Sequence, residues 1–166
     1  MKNSQESIEM FKVLLNCLPT LMLFLSLISF NIEAQNKYAN LDKSGLAIQG
    51  YDPVSYFSNE KPLKGNSKLS YTYNGMIYHF FSEKNKSEFV RQPKKYEPKY
   101  GGWCAYAIGV DGSKVKIDPE TYKIVDGELY LFYNFFPVNT LKKWNDNEKQ
   151  LKQKADTQWT EIISPR

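Results

Sequence analysis

Apolar and polar side chains alternate along two neighbouring stretches, Leu69–Tyr73 and Met76–Phe81, separated by Asn74-Gly75. Alternation at every second residue marks half-buried strands. Asn-Gly between them is a strong hairpin signal, because both central positions of a type I′ turn need φ > 0. A two-residue turn pairs Tyr73 with Met76, Thr72 with Ile77, Tyr71 with Tyr78, and Ser70 with His79. One face then carries Leu69, Tyr71, Tyr73, Met76, Tyr78 and Phe80, an aromatic core face. His79 falls on the other face with Ile77, Phe81, Ser70 and Thr72, a mixed face that calls for partial cover; the segment starting at Gly101 is the expected cover.

The pattern then changes period. Ser82 offers a hydroxyl to cap a helix running to about Arg91, with Glu83 in its first turn. Pro93 stops it, and Pro98 with Gly101-Gly102 turns the chain toward Cys104. Upstream, Leu46-Ala47-Ile48 reads as a short strand and Gly50-Tyr51-Asp52-Pro53 as a turn leading into a helical turn with Val54, Tyr56 and Phe57. Trp103–Val110 is apolar with small residues, and periodicity leaves helix and strand both open. Val115-Lys116-Ile117 reads as a strand and Asp118-Pro119 as a turn; Ile124-Val125 and Leu129–Tyr133 flank Asp126-Gly127, a second hairpin signal. Beyond Pro137, Leu141, Trp144, Leu151, Ala155, Trp159 and Ile162 recur at near-helical spacing, one long or broken amphipathic helix. The fold class is α+β: antiparallel hairpins forming a small sheet, with helices packed on one face, including the C-terminal amphipathic helix.

Composition adds a compartment. Lys2 and Lys12, an apolar run from Val13 to Phe30 and Ala34 read as a secretory signal over residues 1–34, so the protein is expected to be exported, periplasmic or secreted. Asn16, Cys17 and Pro19 interrupt the run, which falls short of the ~20 apolar residues of a stable membrane span. Residues 35–45 read as a loose segment and 46–163 as one folded domain. From residue 35 on, 20 Lys and Arg face 15 Asp and Glu, a modest excess in separate clusters that reads as solvated surface and not as a nucleic-acid site.

Tyr78-His79, Ser82, Phe89, Pro93 and Tyr96 resemble the YHS domain, in the order aromatic hairpin, Ser cap, F-x-x-x-P-x-x-Y. Gly50–Phe57, Tyr100–Ala105 and Val125–Leu131 are similar to an exported, single-domain branch of that family, so the resemblance runs from about Leu46 to Trp159. It implies metal association, with copper as one candidate ion. Metal-associated members look like D-P-V-C followed by Y-F-C-S-x-x-C; Ser55, Phe81 and Asn85 stand here where those thiols would be. Any metal therefore needs another site.

The candidates are His79, the only histidine, and Cys104, the only cysteine outside the leader. A thiolate suits Cu(I) or zinc and an imidazole suits zinc or copper. A closed zinc site takes about four ligands, so this pair would need Asp52, Glu97, a second chain or an open position. The structural alternative has His79 hydrogen-bonded to backbone or Ser70, and Cys104 packed as a small hydrophobe. A nucleophilic Cys–His pair requires contact, an orienting group and an oxyanion hole, for which Gly101-Gly102 offer backbone N–H groups. No thiol-enzyme signature and no C-x-x-C accompanies it. The leading expectation is a non-enzymatic, exported protein binding copper, zinc or another ligand near His79 and Cys104. The alternatives are a thiol-dependent enzyme or redox protein, and a ligand- or protein-binding module without metal. One unpaired thiol also leaves room for a dimer through Cys104.

Overall fold

The computed structural model describes residues 37–58 and 61–164. The expected secretory leader lies outside the described residues. Helix α1 is Ser55–Ser58, followed by strands β1 (Asn66–Tyr73) and β2 (Met76–Phe80). Helices α2 (Glu83–Arg91), α3 (Pro93–Tyr96) and α4 (Ala105–Asp111) come next. Strands β3 (Asp118–Val125), β4 (Glu128–Phe132), β5 (Asn134–Phe135) and β6 (Val138–Asn139) lead into α5 (Thr140–Asn145) and α6 (Glu148–Ile163).

The α+β class stands, with three two-stranded antiparallel sheets, β1–β2, β3–β4 and β5–β6, in place of one small sheet. In the first hairpin all four expected pairs form, with Asn74 at φ 50° and Gly75 at φ 74°. Met76, Tyr78 and Phe80 are buried, and Phe89 of α2 sits under the hairpin with ring centroids 4.7 to 6.4 Å from Tyr71, Tyr73, Tyr78 and Phe80. The Ser82 hydroxyl accepts from the Asn85 backbone N–H at 3.2 Å, the expected cap of α2.

Cover for the other face of β2 comes from a different segment than expected. The backbones of Gly45 and Ala47 bond to Ile77, and Gly50 lies against His79. Gly101 instead packs on Trp159 and Ala39. Consistent with this, the stretch read as loose is tied down from Tyr38 onward. Trp103 Nε1 donates to the Tyr38 carbonyl, and the Asn40 backbone N–H donates to the Gly101 carbonyl at 2.8 Å.

Trp103–Val110 resolves as helix α4, closed by Gly112 in the left-handed region at φ 76°. Val115–Ile117 is not a strand. Its carbonyls are taken by Cys104 N–H and by the Gln49 amide, so no strand partner has access to them. The second hairpin forms at Asp126-Gly127 with Val125 opposite Glu128. Strand β4 is buried on both faces: Leu129 and Leu131 enter a cluster with Tyr56, Tyr78, Phe80, Phe89 and Tyr96. Tyr130 and Phe132 enter a second one with Ala105, Ile108, Trp144 and Ala155. The C-terminal stripe is a broken helix, α5 then α6, and α4 crosses α6 at Gly109, where an added Cβ would lie 2.7 Å from the Leu151 carbonyl oxygen.

Candidate functional site

Strand β2 puts the His79 ring on the face opposite Tyr78 and Phe80, half-buried under the loops on either side of α1. Nδ1 would lie 3.4 Å from a Cβ at Gly50, and a Cβ at Gly65 would lie 2.5 Å from the His79 carbonyl carbon. At Gly65 the chain closes on His79 only because no side chain is present, whereas at Gly50 the positive φ of 78° is what calls for glycine. Gly50 ends a left-handed turn in which Ile48 and Gln49 also have positive φ, 51° and 52°, a costly conformation for a β-branched residue. Lys64 spans this turn, donating to the Gln49 carbonyl with its Nζ 4.6 Å from the centre of the Tyr51 ring.

Cys104 occupies a different niche. It precedes α4 and is fully buried. Its Sγ accepts from the Tyr133 backbone N–H at 3.4 Å and lies 3.4 Å from the Thr140 hydroxyl, which itself donates to the Tyr133 carbonyl at 2.7 Å. The sulfur thus joins the start of α4, the end of β4 and the start of α5. None of these partners lies among the groups that enclose His79, and no hydrogen bond joins imidazole and thiol among the described residues. A disulfide between two copies requires the thiol to leave this niche first.

The two carboxylates considered as additional ligands are elsewhere engaged or differently placed. Glu97 is half-buried at the end of α3; burial pushes its carboxyl above the usual range, partly offset by Lys94. Asp52 is completely buried and sits at a polar junction. Its Oδ1 accepts from the Val54 N–H at 2.8 Å; its Oδ2 accepts from the Phe81 N–H at 2.9 Å and from the Asn85 amide at 2.7 Å. The Ser55 hydroxyl donates to the Asp52 carbonyl at 2.6 Å and accepts from the Leu63 N–H at 2.9 Å.

Ser55, Phe81 and Asn85, the three positions without the expected thiols, therefore converge on one residue, Asp52. The Phe81 N–H and the Asn85 amide hold its carboxylate and the Ser55 hydroxyl holds its backbone carbonyl, and none of the three is a soft ligand. Among the described residues no group of three or more His, Cys, Asp or Glu side chains gathers where a metal ion could be held. Neither place gathers the ~4 ligands of a closed zinc centre among the described residues. Sequence reasoning read Asp52 as a turn former, which it is through Val54. Its link to α2 was hidden because Asn85 lies 33 residues away.

A further feature had no forecast. Phe135 and Phe136 stand out at the β5–β6 turn with 72 % and 92 % of their surface exposed. The signal was available, since Phe-Phe-Pro sits where turn residues are ordinarily polar.

Among curated proteins and solved structures, none matches this chain. The family model of the YHS domain does match it, over residues 54–100, the span that holds α1, the first hairpin, α2, α3 and the Asp52 junction's donors. From Val54 to Tyr100 the chain matches the YHS domain.

Proposed function

We propose that this protein is an exported, non-enzymatic binding module built on a YHS domain, acting through its surface and not through a metal held between His79 and Cys104. The observation that carries the reading is the sulfur of Cys104, fully buried with Tyr133 and Thr140 on it and with no hydrogen bond to His79 among the described residues. Export rests on the leader pattern of Lys2, Lys12, Val13–Phe30 and Ala34. Against a nucleophilic role for Cys104, its sulfur's hydrogen-bond partners among the described residues are the Thr140 hydroxyl and the Tyr133 N–H, neither of them a base.

A second reading keeps the metal association that YHS domains bring, with copper or zinc as the ion. It places the ion on His79, whose half-buried ring is the more accessible of the two candidates. Metal analysis of the protein taken from its own compartment separates the two, together with Cu(I) competition on His79→Ala and Cys104→Ser. No stoichiometric metal and unchanged affinity in both variants are expected. Loss in His79→Ala alone establishes the second reading, and loss in both variants overturns the separation of the two niches. The N-terminal mass of the same sample tests export through cleavage after Ala34.

A further inference from the structure

Turns on a protein surface are ordinarily polar, and consecutive exposed apolar side chains cost solubility unless they serve something. The β5–β6 turn breaks that rule with Phe135 and Phe136, the two most exposed large apolar residues among those described. The turn is also held rigidly. Its base is closed by the pairs Asn134–Asn139 and Phe135–Val138, and by the Thr140 N–H and hydroxyl on the Tyr133 carbonyl at 3.0 and 2.7 Å. Below it, Tyr133 N–H rests on Cys104 Sγ, and the Asn134 amide donates to the Thr121 hydroxyl at 3.0 Å. The buried thiol thus serves as part of a pedestal for an aromatic tip.

We infer that this tip inserts into the headgroup region of an anionic lipid surface. The inference rests on the surface-binding, export reading above. Two rings, one at the end of β5 and one on the turn that follows it, present far less than the ~800 Å² per partner of a stable protein interface. A fluid lipid interface needs no matching pocket and accepts aromatic rings at headgroup depth. Directly behind β6, the exposed Lys142 and Lys143 stand in the last turn of the short helix α5, within a few residues of the rings along the chain. Their ammonium groups can attract anionic headgroups, and Lys143 Nζ also lies 5.9 Å from the centre of the Tyr106 ring. The acid on the other side of the base, Asp118, is already hydrogen-bonded by the Thr121 hydroxyl and the Glu120 N–H.

The test uses the full chain carrying Phe136→Trp, mixed with phosphatidylcholine vesicles with and without phosphatidylglycerol, their acyl chains brominated. The native Trp103, Trp144 and Trp159 are half-buried or buried, so the unsubstituted chain supplies the background, whatever its N-terminal segment does with lipid. With phosphatidylglycerol present, the variant's emission should shift to the blue and be quenched beyond that background. The lipid needed for half the effect should rise several-fold when Phe135→Ser or Lys142→Gln with Lys143→Gln is added, with unchanged far-UV circular dichroism. Three results overturn the inference: no signal above background with either vesicle, an equal response to neutral vesicles, or a blue shift without lipid that grows with protein concentration, which marks a second copy as the occupant. A metal found on His79 leaves this result untouched, and a flat fluorescence signal leaves the metal-free reading standing.

Discussion

Replacing Asp52 by asparagine keeps the shape of the side chain and removes one acceptor and the charge. The carboxylate serves three N–H donors from two directions, Val54 on Oδ1 and Phe81 with Asn85 on Oδ2, at 2.7 to 2.9 Å. An amide has one acceptor oxygen and can serve one side only. Its better orientation keeps Phe81 and Asn85 and turns Nδ2 toward the Val54 N–H, so two buried donors face each other. A hydrogen bond to a charged group contributes about 1.5–3 kcal/mol, and an unpaired buried donor costs ~1–3 kcal/mol. With the overlap between these terms, a loss of about 2–4 kcal/mol is expected, a large part of the ~5–15 kcal/mol that holds a domain together.

Urea unfolding followed by circular dichroism reads this as a lower midpoint, by roughly 1–2 M, at unchanged slope. Asn85→Asp should also destabilise, because it brings a second carboxylate against the first. Combining it with Asp52→Asn reverses the pair and restores an amide–carboxylate contact, so the double variant should lose at least ~1 kcal/mol less than the two singles summed. A loss below ~1 kcal/mol in Asp52→Asn, or strict additivity of the pair, would refute the junction as the tie between the Asp52-Pro53 turn and α2.

Other consequences are as direct. Burial raises the Glu97 carboxyl above its ordinary 4.5, so the folded chain holds that proton more tightly than the unfolded chain; its contribution is complete below that value and is lost as pH rises through the folded one. Glu97→Gln should therefore raise the melting temperature at neutral pH and lose that advantage in acid, as paired melts at the two pH values would show. Gly65→Ala puts a Cβ 2.5 Å from the backbone of His79, which cannot swing aside, and should cost about 1–3 kcal/mol in a thermal or urea melt. The Cys104 thiol should react with a disulfide reagent only as fast as the fold opens, so its labelling, followed by peptide mass, should accelerate in step with denaturant. Fast labelling of native protein would favour the thiol-enzyme reading instead.

The elements that local chemistry dictates were legible from the chain. Asn74-Gly75 and Asp126-Gly127 set both hairpin registers, and Ser82 set the start of α2, because turn dihedrals and caps depend on residues a few positions apart. What failed depended on distant partners. Val115–Ile117 has strand-like residues, yet its carbonyls go to Gln49 and Cys104, and no local pattern announces that. The cover over His79 comes from Gly45–Gly50 for the same reason: which loop reaches a half-polar face is decided by the whole packing. Of the site, the absent thiols at positions 55, 81 and 85 were readable, and their convergence on Asp52 was not.

Strand β4 explains why chemistry at Cys104 would be costly and why the surface is the better place to look for function. The YHS span supplies Tyr56, Tyr78, Phe80, Phe89 and Tyr96 to one core, which is closed from outside that span by Leu129 and Leu131. The alternate residues Tyr130 and Phe132 close the other core with Trp144 and Ala155. Cys104 packs in the first core, while Ala105 beside it packs in the second, and its sulfur holds the backbone of Tyr133 just past the end of β4. Exposing that sulfur to a substrate or an ion would loosen the residue on which both cores and the β5–β6 pedestal lean. A thiol so placed stabilises the fold best by staying where it is, in keeping with the proposal that recognition falls to the surface and to the phenylalanines of the β5–β6 turn.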